Sequence, residues 1–168
     1  TAANASHPEI VYDKGCNILG AEIKPLERWW FNAKPRPAVG ITEIDYGFTA
    51  EYFNGADFSG EPVLTRLDPQ INFNWIYHAP DDKVDSRQFC VRWTATMCSP
   101  KSFEGRIGLS SPDSMRLYID GELVIDGWGE DKEASQMVPF FFESGRKYDV
   151  RVEFRNDARG CLLYTSPS

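Results

Sequence analysis

The chain has 168 residues, the length of one ordinary domain and short of two. Hydrophobic residues make up 42% and aromatic residues 14%, which supports a packed core and excludes a disordered chain. The net charge is −7 with no run of more than two Lys or Arg, and no apolar run reaches membrane-spanning length, so neither a nucleic-acid nor a membrane partner is expected.

The first ten residues carry no signal-peptide pattern, so the chain is expected to begin after processing or inside a longer protein. Asn4-Ala5-Ser6 is a glycosylation sequon near this terminus. Residues 10–12 read as a short strand leading into a Gly-bounded loop. Residues 21–40 carry Pro25, Pro35 and Pro37, which interrupt helices and sheet ladders, and read as a connector with one helical turn at residues 26–30. Residues 48–53 form a strand followed by the turn-rich GADFSGEP. In residues 88–98, Phe89, Val91, Trp93, Ala95 and Met97 face one way, and Cys90, Arg92, Thr94, Thr96 and Cys98 the other. MRLYI and LVI then flank Asp120-Gly121-Glu122, a strong hairpin signal because Gly takes the positive φ of a tight primed turn. Pro139 confines MVPFFF to a sheet edge or a strand start. In residues 147–155, Tyr148, Val150, Val152 and Phe154 alternate with charged residues. The pattern predicts an all-β fold, an antiparallel β-sandwich behind an irregular N-terminal connector.

Cys16, Cys90, Cys98 and Cys161 show neither a C-x-x-C pair nor a zinc spacing. At about 3.3 Å per residue, Cys90 and Cys98 on one extended strand are too far apart to bridge. Either meets Cys161 if their strands are neighbours; free thiols are the expectation. His7 and His78 lie far apart, no Ser-His-Asp pattern stands out, and Asp81-Asp82 and Glu130-Asp131 read as solvated loop charges. The chain is therefore expected not to be catalytic by itself. The polar loop of residues 110–114 enters the hairpin and suits a cation or a sugar; alternatively, Asp113 holds a turn through its own backbone. Trp29, Trp30, Tyr77, Trp128 and Tyr164 are candidates for sugar contact, since a flat ring covers the apolar face of a sugar. Trp29-Trp30 is expected to pack the connector onto the sandwich. Trp128 is either a platform at the rim or a plug closing one end.

FEGRIGLSSPDSMRLYIDGELVIDGW, residues 103–128, resembles the central signature of the protective-antigen-fourteen domain. Residues 48–75, FCVRWTA and GRKYDVRVEFRND agree with that family, and the likeness spans residues 48–167. VYDKGCNI, residues 11–18, is similar to a strand-loop of family three glycoside hydrolases, found shortly before the point where some members carry this module as an insert. The resemblance implies a connector over residues 1–47, or an edge of a glycosidase α/β sandwich domain, followed by the β-sandwich over residues 48–168. It implies a non-catalytic accessory domain of a β-glucosidase-like enzyme that overhangs the catalytic pocket and shapes substrate choice. The alternatives are a free-standing lectin-like module and a structural module without a ligand. The catalytic residues would lie elsewhere in such an enzyme, since its serine-aspartate-tryptophan nucleophile motif is missing here. Implied partners are carbohydrate and the remainder of a glycosidase chain, in an extracellular or periplasmic setting. The implied rim residues are Asp81, Asp82, Asp113 and Trp128. Lectin members of the family bind calcium through two successive aspartates; Asp113 matches the second, but Pro112 holds the first position, so weak or absent calcium binding and no cofactor are expected.

Overall fold

The computed structural model describes residues 9–10, 26–73, 75, 79–129 and 135–156. Among these described residues the regular structure is eleven strands and two short 3-10 turns. In chain order the strands are β1 (Glu9–Ile10), β2 (Leu26–Glu27), β3 (Phe31–Ala33), β4 (Phe48–Asn54), β5 (Leu64–Asp68), β6 (Phe89–Cys98), β7 (Phe103–Ser110), β8 (Ser114–Ile119), β9 (Glu122–Gly127), β10 (Ser135–Phe142) and β11 (Lys147–Arg155). Of the helical turn expected at residues 26–30, only Arg28–Trp30 forms one, a 3-10 segment, while Leu26–Glu27 is strand β2.

Seven strands form one antiparallel sheet in the order β5-β4-β6-β11-β8-β9. β3 is the seventh: it pairs with the C-terminal end of β6, beyond the stretch that pairs with β4. β7 and β10 make a separate antiparallel pair, and β1 pairs with β2. Ile107, Leu109 and Phe142 of the β7–β10 pair join Phe48, Tyr52, Val91, Trp93, Leu117, Ile125 and Val152 of the large sheet in one core, giving a sandwich.

The alternation read in β6 and β11 decides which sheet face enters this core. Phe89, Val91, Trp93, Ala95 and Met97 are at most 2% exposed, whereas Arg92, Thr94, Thr96 and Cys98 of the other face are half-buried. In β11, Tyr148, Val150 and Val152 are buried and Phe154 is half-buried against the core. Cys90 breaks the alternation: it is buried on the outer face, where its thiol donates to the Gly55 carbonyl. Cys98 is a free thiol, and Cys16 and Cys161 lie outside the described residues. Trp30 is buried edge-on against Phe103 and Phe142, so it fastens the connector to the sandwich, while Trp29 stays exposed.

Asp120 and Gly121 both take positive φ, 52° and 83°, as the primed turn of the β8–β9 hairpin requires. The Asp120 carboxylate accepts the Asp149 N–H at 2.7 Å and pairs with Arg146 at 3.1 Å, which ties the turn to β11. Pro139 sits in β10, an edge strand whose partner is β7.

One polar cluster crosses the apolar interior. Asp68, 2% exposed at the end of β5, accepts from the Tyr52 hydroxyl at 2.6 Å and from Trp93 Nε1 at 2.8 Å. Arg66 Nε donates to its other oxygen at 2.7 Å, and Arg66 Nη2 donates to the Tyr52 hydroxyl at 2.8 Å. A buried carboxylate is tolerated when its lone pairs are matched in this way. Burial, reinforced by the Asp68 charge, pushes the Tyr52 phenol above its ordinary 10.0.

Asp68→Ala would strand Arg66 and two buried donors, so it should cost about 3–5 kcal/mol, read as a lower urea midpoint at unchanged slope. Because the folded pKa of Tyr52 is raised, its contribution is fully present below the unfolded value near 10.0 and is lost as pH rises above it. Stability measured from pH 9 upward should fall more steeply in the wild type than in Tyr52→Phe.

Candidate functional site

The sheet topology brings all four expected rim residues to one end of the sandwich. β4, β9 and β11 run toward that end, and β6 and β8 start from it. The loops gathered there follow β4, precede β6, join β7 to β8 and follow β9.

Two ties fix the loop that carries Asp81 and Asp82. Asn54, the last residue of β4, donates to the Lys83 carbonyl at 3.2 Å and accepts the Asp85 N–H at 2.7 Å. Deeper in, Arg66 Nη1 donates to the Pro80 carbonyl at 3.2 Å, linking the loop to the buried cluster. The Asp81 carboxylate is half-buried and accepts the Lys83 N–H at 3.1 Å, an Asx turn; Asp82 is exposed. In the next loop, Ser111 Oγ accepts the Asp113 N–H at 3.0 Å. No cis peptide bond occurs among the described residues.

Trp128, just after β9, is half-buried at this end. The guanidinium groups of Arg116 and Arg155 lie 4.6 Å and 4.8 Å from its ring, and Phe58 packs at 6.1 Å. Phe58 in turn meets Phe53 edge-on and lies 4.5 Å from the Arg92 guanidinium. Ser114 Oγ accepts from the Gly129 N–H at 3.1 Å and from Arg155 at 3.2 Å, joining the Trp128 segment to the Asp113 loop. Trp128 thus serves as the hub of a cation-aromatic cluster, with much of its ring already in contact.

Phe58, Arg116 and Arg155 did not stand out in the sequence. Period-two alternation does put Arg116 and Arg155 on the outward face of their strands. What it lacks is that β8 lies beside β11 and that the β4–β5 turn brings Phe58 against Trp128. Trp75 is half-buried against the core, in ring contact with Tyr52, Phe89, Trp93 and Phe154. Tyr77, His78, Glu130, Asp131, Tyr164, the sequon and the VYDKGCNI motif lie outside the described residues.

Chemically, this end offers hydrogen-bonding carboxylates and a cation-backed aromatic. Among the described residues no three His, Cys, Asp or Glu side chains are grouped to hold a metal.

Residues 45–167 match the PA14 domain. The chain belongs to the PA14 domain family. Among curated proteins it is 31% identical over 125 residues to anti-sigma-I factor RsgI3 of Acetivibrio thermocellus, covering 73% of this chain and 19% of that protein. It is also 31% identical over 115 residues to a β-glucosidase of Rhizobium radiobacter, covering 63% of this chain and 14% of that one. The chain thus spans less than a fifth of either relative. Of solved structures, an anti-sigma factor domain-containing protein from Clostridium clariflavum superposes with a TM-score of 0.59 at 31% identity, over 66% of this chain and 37% of that one. A β-glucosidase from Kluyveromyces marxianus gives 0.59 at 19% identity, over 70% and 16%, a likeness of fold. A PA14 domain shared by proteins of such different names is an accessory unit, and no catalytic site is evident among the described residues.

Calorimetric titration of calcium into the chain should show no binding tighter than about millimolar, the weak end of protein calcium sites. Micromolar binding abolished by Asp113→Asn would show that carbonyl or hydroxyl oxygens replace the carboxylate missing at Pro112.

Proposed function

We propose that this PA14 domain is a non-catalytic carbohydrate-positioning module of a glycoside hydrolase of the β-glucosidase type, with its contacts at the loop end that carries Asp81, Asp82, Asp113 and Trp128. The observation that carries the reading is the convergence of these four residues, from three loops, on one end of the sandwich. Loops held by a packed scaffold are where binding residues concentrate. The relation to a β-glucosidase supports the choice of host, and the likeness of VYDKGCNI to a strand-loop of that enzyme family agrees with it. In this role the domain moves no proton. It holds the part of the substrate beyond the reacting sugar, so that the bond to be cleaved spends more time aligned. An extracellular or periplasmic location belongs to the same proposal.

In sequence, the likeness to an anti-sigma factor extends over 73% of this chain and that to a β-glucosidase over 63%, which supports a second reading: a glycan-binding module whose host does not hydrolyse what it binds.

The two separate by where binding is felt. On the first reading, glucose and cellobiose bind the isolated chain no better than about millimolar, because a few rim contacts facing water gain little. In the intact glycosidase, truncating the responsible rim side chain, Trp128→Ala first, should change kcat/KM for disaccharides by about 1–3 kcal/mol and spare small aryl glucosides. Micromolar glycan binding by the isolated chain would establish the second reading, and equal effects on every substrate would reduce the domain to a structural part.

A further inference from the structure

A concavity lies away from the loop end, on the outer face of the large sheet. Thr94 of β6, Asp149 and Arg151 of β11 and Tyr118 of β8 line it, with Lys34, Pro35 and Arg36 after β3 and Gly121 of the hairpin turn. Asp149, Tyr118 and Gly121 belong to the end of the strands opposite Trp128. The cleft holds about 390 Å³, at the small end of ordinary ligand sites.

Its chemistry differs from that of the rest of the molecule. In a chain of net charge −7, the lining carries three cations, Lys34, Arg36 and Arg151, against one carboxylate, Asp149. Glu51 and Glu153 stand beside it, each already engaged by arginines: Glu51 by Arg36 and Arg92, Glu153 by Arg92 and Arg151. Lys34 is held between Thr96 Oγ1 at 3.1 Å and the Asp149 carboxylate at 2.9 Å. That carboxylate side chain is 63% exposed, and such open pairs contribute little and exchange readily for another anion. Arg151 lies 4.0 Å over the Tyr118 ring, which sets the plane of its guanidinium. Its Nε approaches Glu153 at 3.4 Å without making a hydrogen bond. The rim is firm, because Asp120 and Asp149 exchange hydrogen bonds of 2.8 and 2.7 Å. A side chain atom at Gly121 would meet nothing within 4 Å, so the hairpin side is open.

We propose that this cleft is a second saccharide site and that it takes a sugar carrying a carboxylate, a uronic acid residue of a polysaccharide. Lys and Arg only donate hydrogen bonds, so the lining asks for a ligand rich in acceptors, and the planar guanidinium fork suits a carboxylate. The small volume fits one or two rings. The ligand class rests on the carbohydrate reading of the domain; the placement, away from Trp128, does not.

The test uses the whole chain with trisaccharides of mannuronic and of galacturonic acid, each beside its carboxyl-reduced neutral counterpart. Two-dimensional NMR should show shifts at Lys34, Thr94, Tyr118 and Arg151 with at least one acidic trimer, and at least about tenfold weaker shifts with its reduced form, the difference one charge-assisted contact makes. The acidic trimer should lose binding about tenfold in Arg36→Gln, at an exposed position, and in Lys34→Gln, at a half-buried position outside the core, and should be unaffected in Trp128→Ala. Equal binding of the acidic and reduced trimers, or no shift at the cleft with any of them, overturns the proposal. So does a glutamate-rich peptide that shifts the cleft residues when no trimer does. Neutral sugars that shift only the Trp128 end leave the positioning function standing while this site fails.

Discussion

The Asp68 carboxylate is the constraint on which the rest of the sandwich depends. It sits at the end of β5, yet its partners come from β4 (Tyr52), β6 (Trp93) and its own strand (Arg66), so one side chain holds three neighbouring strands in register. Arg66 then reaches out of the cluster to the Pro80 carbonyl. The loop bearing Asp81 and Asp82 is therefore anchored in the core and not merely draped over it. Gly47 completes the arrangement. With φ at 123°, a Cβ there would come within 2.5 Å of the Asp68 carbonyl oxygen, so only a residue lacking one lets β4 enter beside the end of β5.

The outer face has its own register device. Glu51 of β4, Arg92 of β6, Glu153 of β11, Arg116 of β8 and Asp126 of β9 stand opposite one another in sequence across five strands. Their charges alternate, and ion pairs of 3.9, 3.5 and 3.1 Å join Glu51 to Arg92, Arg92 to Glu153 and Arg116 to Asp126. Each pair adds little to stability alone. Slipping any of these strands by one residue would send its charge into the apolar layer, so the row specifies pairing more than it strengthens it. Glu153 shows the pressure on this face: it points away from the core, yet two guanidinium groups cover it to 7% exposure.

What could be read from the sequence was whatever is written in neighbouring residues. The faces of β6 and β11, the Asp120-Gly121 turn and the edge position of Pro139 follow from periodicity and backbone chemistry within a few residues. The Asp68 cluster was not legible, because Asp68 looks like any loop-end carboxylate until Trp93, 25 residues away, is placed against it. The same holds for Trp128, whose arginine neighbours come from positions 116 and 155. Nor did composition reveal the outer cleft. Lys34 and Arg36 sit in a segment that proline content marks as a connector, and they face Arg151 only because β3 extends the line of β4 along β6.

The loop end and the outer cleft are built by different means, and this bears on how each would use a ligand. At the loop end, positions are set by turns of a few residues, Ser111 under Asp113 and Asp81 under Lys83, and by stacking around Trp128. Such contacts can shift together when a neighbouring chain presses on them, which suits residues acting at the edge of another domain's pocket. The outer cleft takes its floor from β6, β11 and β8, whose ladders continue on both sides, so Arg151 is fixed before any ligand arrives, while Lys34 and Arg36 reach the cleft from the segment after β3. Preorganised donors on strands hold a small anionic group without ordering cost, whereas loop contacts gain most when something else already holds the ligand. A domain with both would grip one part of a polysaccharide by itself and influence another part only in company.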